Sequence, residues 1–234
     1  MAGPALLLSI DTCGPSGSVA LGRLAGRDLE VFGQIELEGR TYSATLVAAV
    51  EKLLADAHVL LTHLRGMMVV NGPGSFTGVR VSVSAAKGLA ESAAIPVVAV
   101  SRLKVLSRKA GVPSAALDAH RGELFLRLEQ AGRDAEEILA GAEELAALEP
   151  RPVRVAVCED GAAKVLGAAW PEAQLVRVPA PLACDALRLG EALLAAGAAV
   201  DLALLDGHYL RRSDAEIFGP ANMAQSPAAG PRKP

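Results

Sequence analysis

Gly66–Val70 is an unbroken apolar run of strand length, and Asn71-Gly72-Pro73-Gly74 ends it at once. Phe76–Ala94 then reads as a long helix, and Pro96–Val100 as the next strand. A strand, a helix and a strand in that order enter one sheet in parallel, with the helix crossing over a face. Ahead of this unit stand three strand-like segments, Ala5–Asp11, Gly17–Leu24 and Asp28–Leu37, separated by the turns Thr-Cys-Gly-Pro-Ser and Ala-Gly-Arg. Three strands joined by short turns make an antiparallel meander. Leu46, Val50, Leu53, Leu54 and Ala57 recur at helical spacing, which predicts a helix over Tyr42–Ala57. The first half is therefore α/β, a mixed sheet with helices on its faces.

The second half repeats the opening plan weakly. Ala115–Asp118, the turn Ala-His-Arg-Gly and Glu123–Leu128 again read as apolar strand, Asp, Gly-containing turn and strand, which suggests two related lobes. Glu136–Leu148 reads as helix, Val153–Cys158 as a buried strand and Cys184–Ala196 as helix. Pro220–Pro234 holds four prolines without periodicity, so a disordered tail is expected there.

With 234 residues, the chain is long enough for one large domain or two small ones. Its 51% hydrophobic content excludes disorder of the whole chain. The mean hydropathy of +0.33 comes largely from Ala, and no charge-free run reaches the roughly 18 residues of a membrane span. The start MAGPALLLSID has no Lys or Arg before its apolar stretch and reads as a buried strand rather than a signal peptide. Lys and Arg number 23 against 26 Asp and Glu, a net charge of −3, so strong independent binding of a phosphate backbone is not expected. Cys13, Cys158 and Cys184 are widely spaced and odd in number, which argues against a disulfide framework or Cys-based zinc site and fits a reducing cytoplasm.

The segment Asn71–Arg80 carries the most information. Its strand runs through Gly-Pro-Gly into a helix for which Ser75 or Thr77 can serve as N-cap, and free N–H groups there suit an anion. The glycines fall as GxGxxxG, one residue longer than the dinucleotide fingerprint, and no P-loop Lys follows. A structural turn and an anion site both stay open. The helix that follows has two apolar stripes: Val79, Val83, Ala86 and Ala90, and, on another face, Val81, Ala85, Gly88 and Leu89. Covering a sheet needs one stripe; a second stripe of small residues suits close approach by another helix. Ala44, Ala48 and Ala55 likewise widen the face of the Tyr42–Ala57 helix. Asp11 is either a turn cap or a metal- or nucleotide-binding carboxylate. His58 and His63 are five apart, off the spacing of a helical metal pair, and His120 and His208 are isolated. No Ser-His-Asp spacing emerges.

The segments LLLSIDTCGPSGSVAL, NGPGSFTGVRVSVSAAKGLAES, IPVVAVSRL, LDAHRGELFL and YLRRSDAE occur in order over Ala5–Glu216. Together they resemble the TsaB (also called YeaZ) family, bacterial proteins needed to make threonylcarbamoyladenosine in tRNA. The resemblance implies an α/β, two-lobed actin-like ATPase fold (ASKHA, ribonuclease H-like) with mixed sheets flanked by helices. The expected division is 1–104 and 105–218, the last helix being able to pack back on the first lobe, with a disordered tail over 219–234. It also implies a cytoplasmic, non-catalytic scaffold without cofactor or metal. Its partners would be a TsaD-like catalytic subunit, a TsaE-like ATPase, possible self-pairing as a homodimer, and tRNA only through the complex.

TsaD-like enzymes carry a His-x-x-x-His metal pair just after the strand that follows the Gly-rich helix. A gap-free alignment on Ala86–Ala90 and Ile95-Pro96 puts Arg102 and Leu106 at those positions. Neither offers the lone pair of a neutral imidazole. At Arg40-Thr41-Tyr42-Ser43, where the family usually has His-Ser, Tyr42 stands in the His position. The expected interface is Tyr42, Leu46, Val50 and Leu53 on one helix and Val81, Ala85, Gly88 and Leu89 on the other. Asp11, Gly74, Ser75 and Asp118 form a candidate anion or nucleotide site. The rival is an actin-fold ATPase or kinase using Asp11 and Asp118 in the interlobe cleft; a metal-dependent peptidase is disfavoured for lack of ligands.

Overall fold

A computed structural model describes residues 5–25, 28–39, 41–129 and 134–211. Most of the Ala-Gly-Arg turn, Arg40, the end of the YLRRSDAE segment and the expected disordered tail lie outside the described residues.

Strands β1 (Ala5–Asp11), β2 (Gly17–Ala25) and β3 (Asp28–Leu37) form the meander. Helix α1 (Tyr42–Asp56), strand β4 (Leu64–Val70), helix α2 (Phe76–Ala93) and strand β5 (Val97–Val100) complete the first sheet, ordered β3-β2-β1-β4-β5. Strands β1, β4 and β5 run parallel, and β1 and β4 inside the sheet carry the longest apolar runs, as strands buried on both faces must. After helix α3 (Arg102–Ala110) the plan repeats. Strands β6 (Ser114–Asp118), β7 (Leu124–Leu128) and β8 (Glu136–Ala140) are antiparallel. Helix α4 (Ala142–Ala147), strand β9 (Arg154–Val157), helix α5 (Asp160–Ala169), strand β10 (Gln174–Arg177) and helix α6 (Ala183–Ala195) follow. The second sheet is ordered β8-β7-β6-β9-β10, the first sheet's order again. The molecule is thus a two-lobed α/β protein of two mixed sheets flanked by helices.

Each half lends its third helix to the other. Helix α3 packs on β6, β7 and β9, with Leu103 and Leu106 buried beside Leu117 and Phe125. Helix α6 packs on β1, β2, β4 and β5, where Leu187 covers Leu7 and Met68.

Glu136–Leu148, expected as one helix, is instead strand β8, Gly141 and the short helix α4. Tertiary pairing decides this. Glu137 lies opposite Arg127 on β7 and pairs with its Nη1 at 2.9 Å, while also accepting from Ser101. Such cross-strand pairing outweighs the helix propensity of Glu, Leu and Ala. Helices α3 and α5 and strand β10 were not foreseen. Trp170, just past α5, is 2% exposed and donates its indole N–H to the Leu145 carbonyl at 2.9 Å, fixing α4 against α5.

Candidate functional site

A cleft of about 1160 Å³ opens between the lobes, lined among others by Gly14, Tyr42, Ser75, Arg102, Asp118 and Glu159. Its first wall is the turn after β1. The Cys13 N–H donates to Asp11 Oδ1 at 2.9 Å, so the carboxylate caps the turn. The Ser75 N–H donates to the Cys13 carbonyl at 2.8 Å, and Thr12 Oγ1 donates to the Gly78 carbonyl at 2.6 Å. These bonds fasten the start of α2 to the turn so closely that a Cβ on Gly78 would lie 1.9 Å from the Thr12 carbonyl oxygen. Ser75 is the N-cap of α2, its Oγ accepting from the Gly78 N–H at 3.3 Å. Tyr42 donates its phenol to the Gly14 carbonyl at 2.9 Å, so its hydroxyl serves the turn.

The far wall is built likewise from the second half. Asp118 Oδ1 accepts from the His120 N–H at 2.7 Å, and Glu159 Oε2 accepts from the Asp118 N–H at 2.5 Å. A segment near the end of the described chain straps the two walls. Asn71 Nδ2 donates to the Asp206 carbonyl and the His208 N–H to the Asn71 carbonyl. Tyr209 packs against Phe76 of α2 in a tilted arrangement with ring centroids 5.3 Å apart, and the Arg80 guanidinium lies over Phe76 at 3.9 Å. On the other lobe His208 Nε2 meets Glu137 Oε2 at 2.9 Å and Arg211 pairs with Glu123.

Arg102, the first residue of α3, reaches into the cleft. Its Nε is 3.9 Å from Asp11 Oδ2 and its Nη1 3.8 Å from Glu159 Oε1. Burial raises the Asp11 carboxyl above its usual range, against the pull of Arg102 and the Cys13 N–H. Burial also opposes the charge on Arg102, but Asp11 in particular outweighs it and holds the guanidinium above its ordinary value. Burial and then Asp11 push the Cys13 thiol well up and raise the Tyr42 phenol. Burial and Glu159 raise the Cys158 thiol to about 11. The His-x-x-x-His metal pair does not fit here: Arg102 is a buried cation facing carboxylates, and Leu106 is fully buried in the core.

Of the foreseen anion-site residues, Gly74 and Ser75 line one wall and Asp118 the other, while Asp11 lies beneath them, 2% exposed. Glu159 was missed, although it follows an apolar strand just as Asp118 does. The foreseen interface divides. Tyr42, Leu46, Val50 and Leu53 are 1–6% exposed, buried in the chain's own core, so they cannot meet a partner. This corrects the expectation for α1: its apolar stripe faces the sheet, and Ala44, Val47 and Ala48 face outward. On α2 the stripe Val79, Val83, Ala86 and Ala90 is buried, Val81, Ala85 and Leu89 are half-buried, and Gly88 is exposed. His58 and His63 do not share a helix: His58 follows α1 with φ 54°, and His63 ends a turn of 3-10 helix.

No helix of the described residues is long and apolar enough to cross a membrane. The sequence model of the family "TsaD: tRNA N6-adenosine threonylcarbamoyltransferase" matches residues 35–203. The tRNA threonylcarbamoyladenosine biosynthesis protein TsaB of Escherichia coli K12 is 33% identical over 225 residues, 88% of this chain and 95% of that protein. The Bacillus subtilis TsaB is 36% identical over 128 residues, 53% of this chain and 55% of that one. The crystal structure of a Pseudomonas aeruginosa protein described as similar to peptidase YeaZ superposes with a TM-score of 0.70 at 27% identity, covering 88% of this chain and all (100%) of that one. YeaZ from Pseudomonas aeruginosa gives 0.68 at 26% identity over the same shares, 88% and 100%. With two lobes of the actin-like type and a near full-length relative at this identity, the chain belongs to the TsaB family of tRNA threonylcarbamoyladenosine biosynthesis proteins.

Proposed function

We propose that this chain is a non-catalytic subunit that pairs with a TsaD-like catalytic subunit and supports it in forming threonylcarbamoyladenosine next to the anticodon. The observation that carries the reading is the outward face of α2. Val81, Ala85 and Leu89 are half-buried there, and a Cβ on Gly88 would meet nothing within 4 Å. A helix with small residues on an open face admits another helix at short range, and burying that apolar surface drives association. On α1, Ala44, Val47 and Ala48 are likewise exposed. The chemistry then belongs to the partner, since the positions matching its metal pair are Arg102 and Leu106 here. A TsaE-like ATPase joins the assembly, tRNA is reached through the complex, and a homodimer would use the same α2 face. The chain would act in the cytoplasm.

Val81→Glu and Val83→Glu test this together. Val83 is 7% exposed and packs in the core, so a buried unpaired carboxylate there unfolds the first lobe. Val81→Glu leaves a folded protein that loses at least about tenfold in affinity for a TsaD-like subunit from the same host. A folded Val81→Glu that binds that subunit undiminished sinks the interface, and threonylcarbamoyl transfer by the isolated chain sinks the non-catalytic role. The cleft between Ser75 and Asp118 favours a second reading, an actin-fold ATPase or kinase, which tight ATP binding with turnover by the isolated chain would support.

A further inference from the structure

We infer that Arg102 is a built-in cation of the cleft, its guanidinium lying between Asp11 at the end of β1 and Glu159 at the N-cap of α5 and neutralising both. This goes beyond the scaffold reading and does not depend on it.

The side chain is 4% exposed, yet its buried Nε makes no hydrogen bond among the described residues. A guanidinium carries five N–H donors, and a buried one without acceptors is costly unless charge holds it. The charge is at hand on both sides, at 3.9 Å from Asp11 and 3.8 Å from Glu159. The Asp11 side chain is itself 3% exposed and has its other oxygen engaged by the Cys13 N–H. Without Arg102 it would be a buried carboxylate lacking a counter-charge, a far greater cost than an unpaired neutral group. The cleft is shaped for this occupant: a Cβ on Gly14 would lie 2.5 Å from Arg102 Nη2. One turn further along α3, Leu106 faces the core, so no second ligand accompanies position 102. Arg102 therefore supplies from within the chain the positive charge that the two carboxylates need, and it ties the lobes as it does so.

Removing the guanidinium should open a site for a small soluble cation between the two carboxylates. The probes are magnesium, manganese and methylguanidinium chlorides, each against sodium chloride at matched ionic strength, read by thermal melting of the full-length chain. The wild type and Arg102→Lys, which keep the charge, should not respond. Arg102→Ala should melt lower than the wild type, and a probe at ten times its Kd should raise that melting point by about 3–6 °C. Asp11→Asn added to Arg102→Ala should abolish the response. An Arg102→Ala protein that melts like the wild type, or responds to none of the probes, overturns the inference. If Arg102→Ala does not fold, the Arg102→Ala/Asp11→Asn double variant decides. Relief of the uncompensated carboxylate should recover a folded protein, and a double variant that is also unfolded overturns the inference.

Discussion

Gly88→Ala separates what α2 does for the fold from what it does for a partner. Gly88 sits in the interior of an 18-residue helix, and a Cβ built on it meets no atom within 4 Å. The steric cost in the free chain is therefore nil, and what remains is the loss of glycine's conformational freedom in the unfolded state. In a helix interior that difference favours Ala by about 0.8–1.0 kcal/mol. For a chain of this size the melting temperature should rise by about 2–4 °C. In the complex the sign reverses. If a partner helix seats against Gly88, the new methyl group overpacks the contact, and association with the TsaD-like subunit weakens by about 1.4 kcal/mol, or tenfold. Differential scanning fluorimetry of the free chain and calorimetric titration with the partner read the two effects separately. A lowered melting temperature would refute the open placement of Gly88. Unchanged affinity in a stabilised variant would refute close approach at this point of α2.

Gly78→Ala, on the same helix, should cost about 3 kcal/mol or more in chemical denaturation, because the new Cβ collides with the Thr12 carbonyl and strains the bonds holding α2 to the turn; a loss under about 1 kcal/mol would contradict that packing. Trp170→Phe keeps most of the apolar volume but leaves the Leu145 carbonyl without its donor, for an expected loss of about 1–2 kcal/mol in urea. Burial alone would raise the Glu137 carboxyl, but hydrogen bonds from His208, Ser101 and Arg127 outweigh it and hold the group below its ordinary 4.5. A depressed pKa contributes stability that is present above 4.5 and is lost as pH falls through the folded value. Glu137→Gln should therefore lower the melting temperature at neutral pH and flatten its decline below 4.5, and an equally steep acid decline would contradict this. Cys13, 1% exposed and pushed well up, should resist a thiol reagent at pH 8 until the protein unfolds, and rapid labelling in the native state would count against its placement.

The first lobe was legible because its strands are apolar runs closed by turn residues and its helices carry plain stripes. The second was less so for local reasons. In α5, Ala and Gly fill most positions and leave little contrast between faces, and β10 is a half-buried edge strand of four residues. In α3, four of nine residues are basic, and one of them, Arg102, points inward toward carboxylates 91 positions before it and 57 after, at Asp11 and Glu159. Charge at a helix start reads as solvent-exposed unless its distant partners are known. The stripe of Leu46, Val50 and Leu53 shows the complementary difficulty. An apolar face at helical spacing serves a core or a partner equally well, and only the position of the sheet tells which.

The exchange of third helices has a consequence for how the chain can be divided. A cut in the short link between α3 and β6 yields two pieces of the same plan, five strands and three α-helices each among the described residues. Neither piece keeps the helix that covers the second face of its sheet: the first leaves Leu7 and Met68 bare, and the second leaves Leu117 and Phe125 bare. Separately expressed, the pieces should be sticky and poorly folded; mixed, each carries the other's missing cover. The arrangement is that of a domain-swapped pair of half-length units joined end to end by one peptide link.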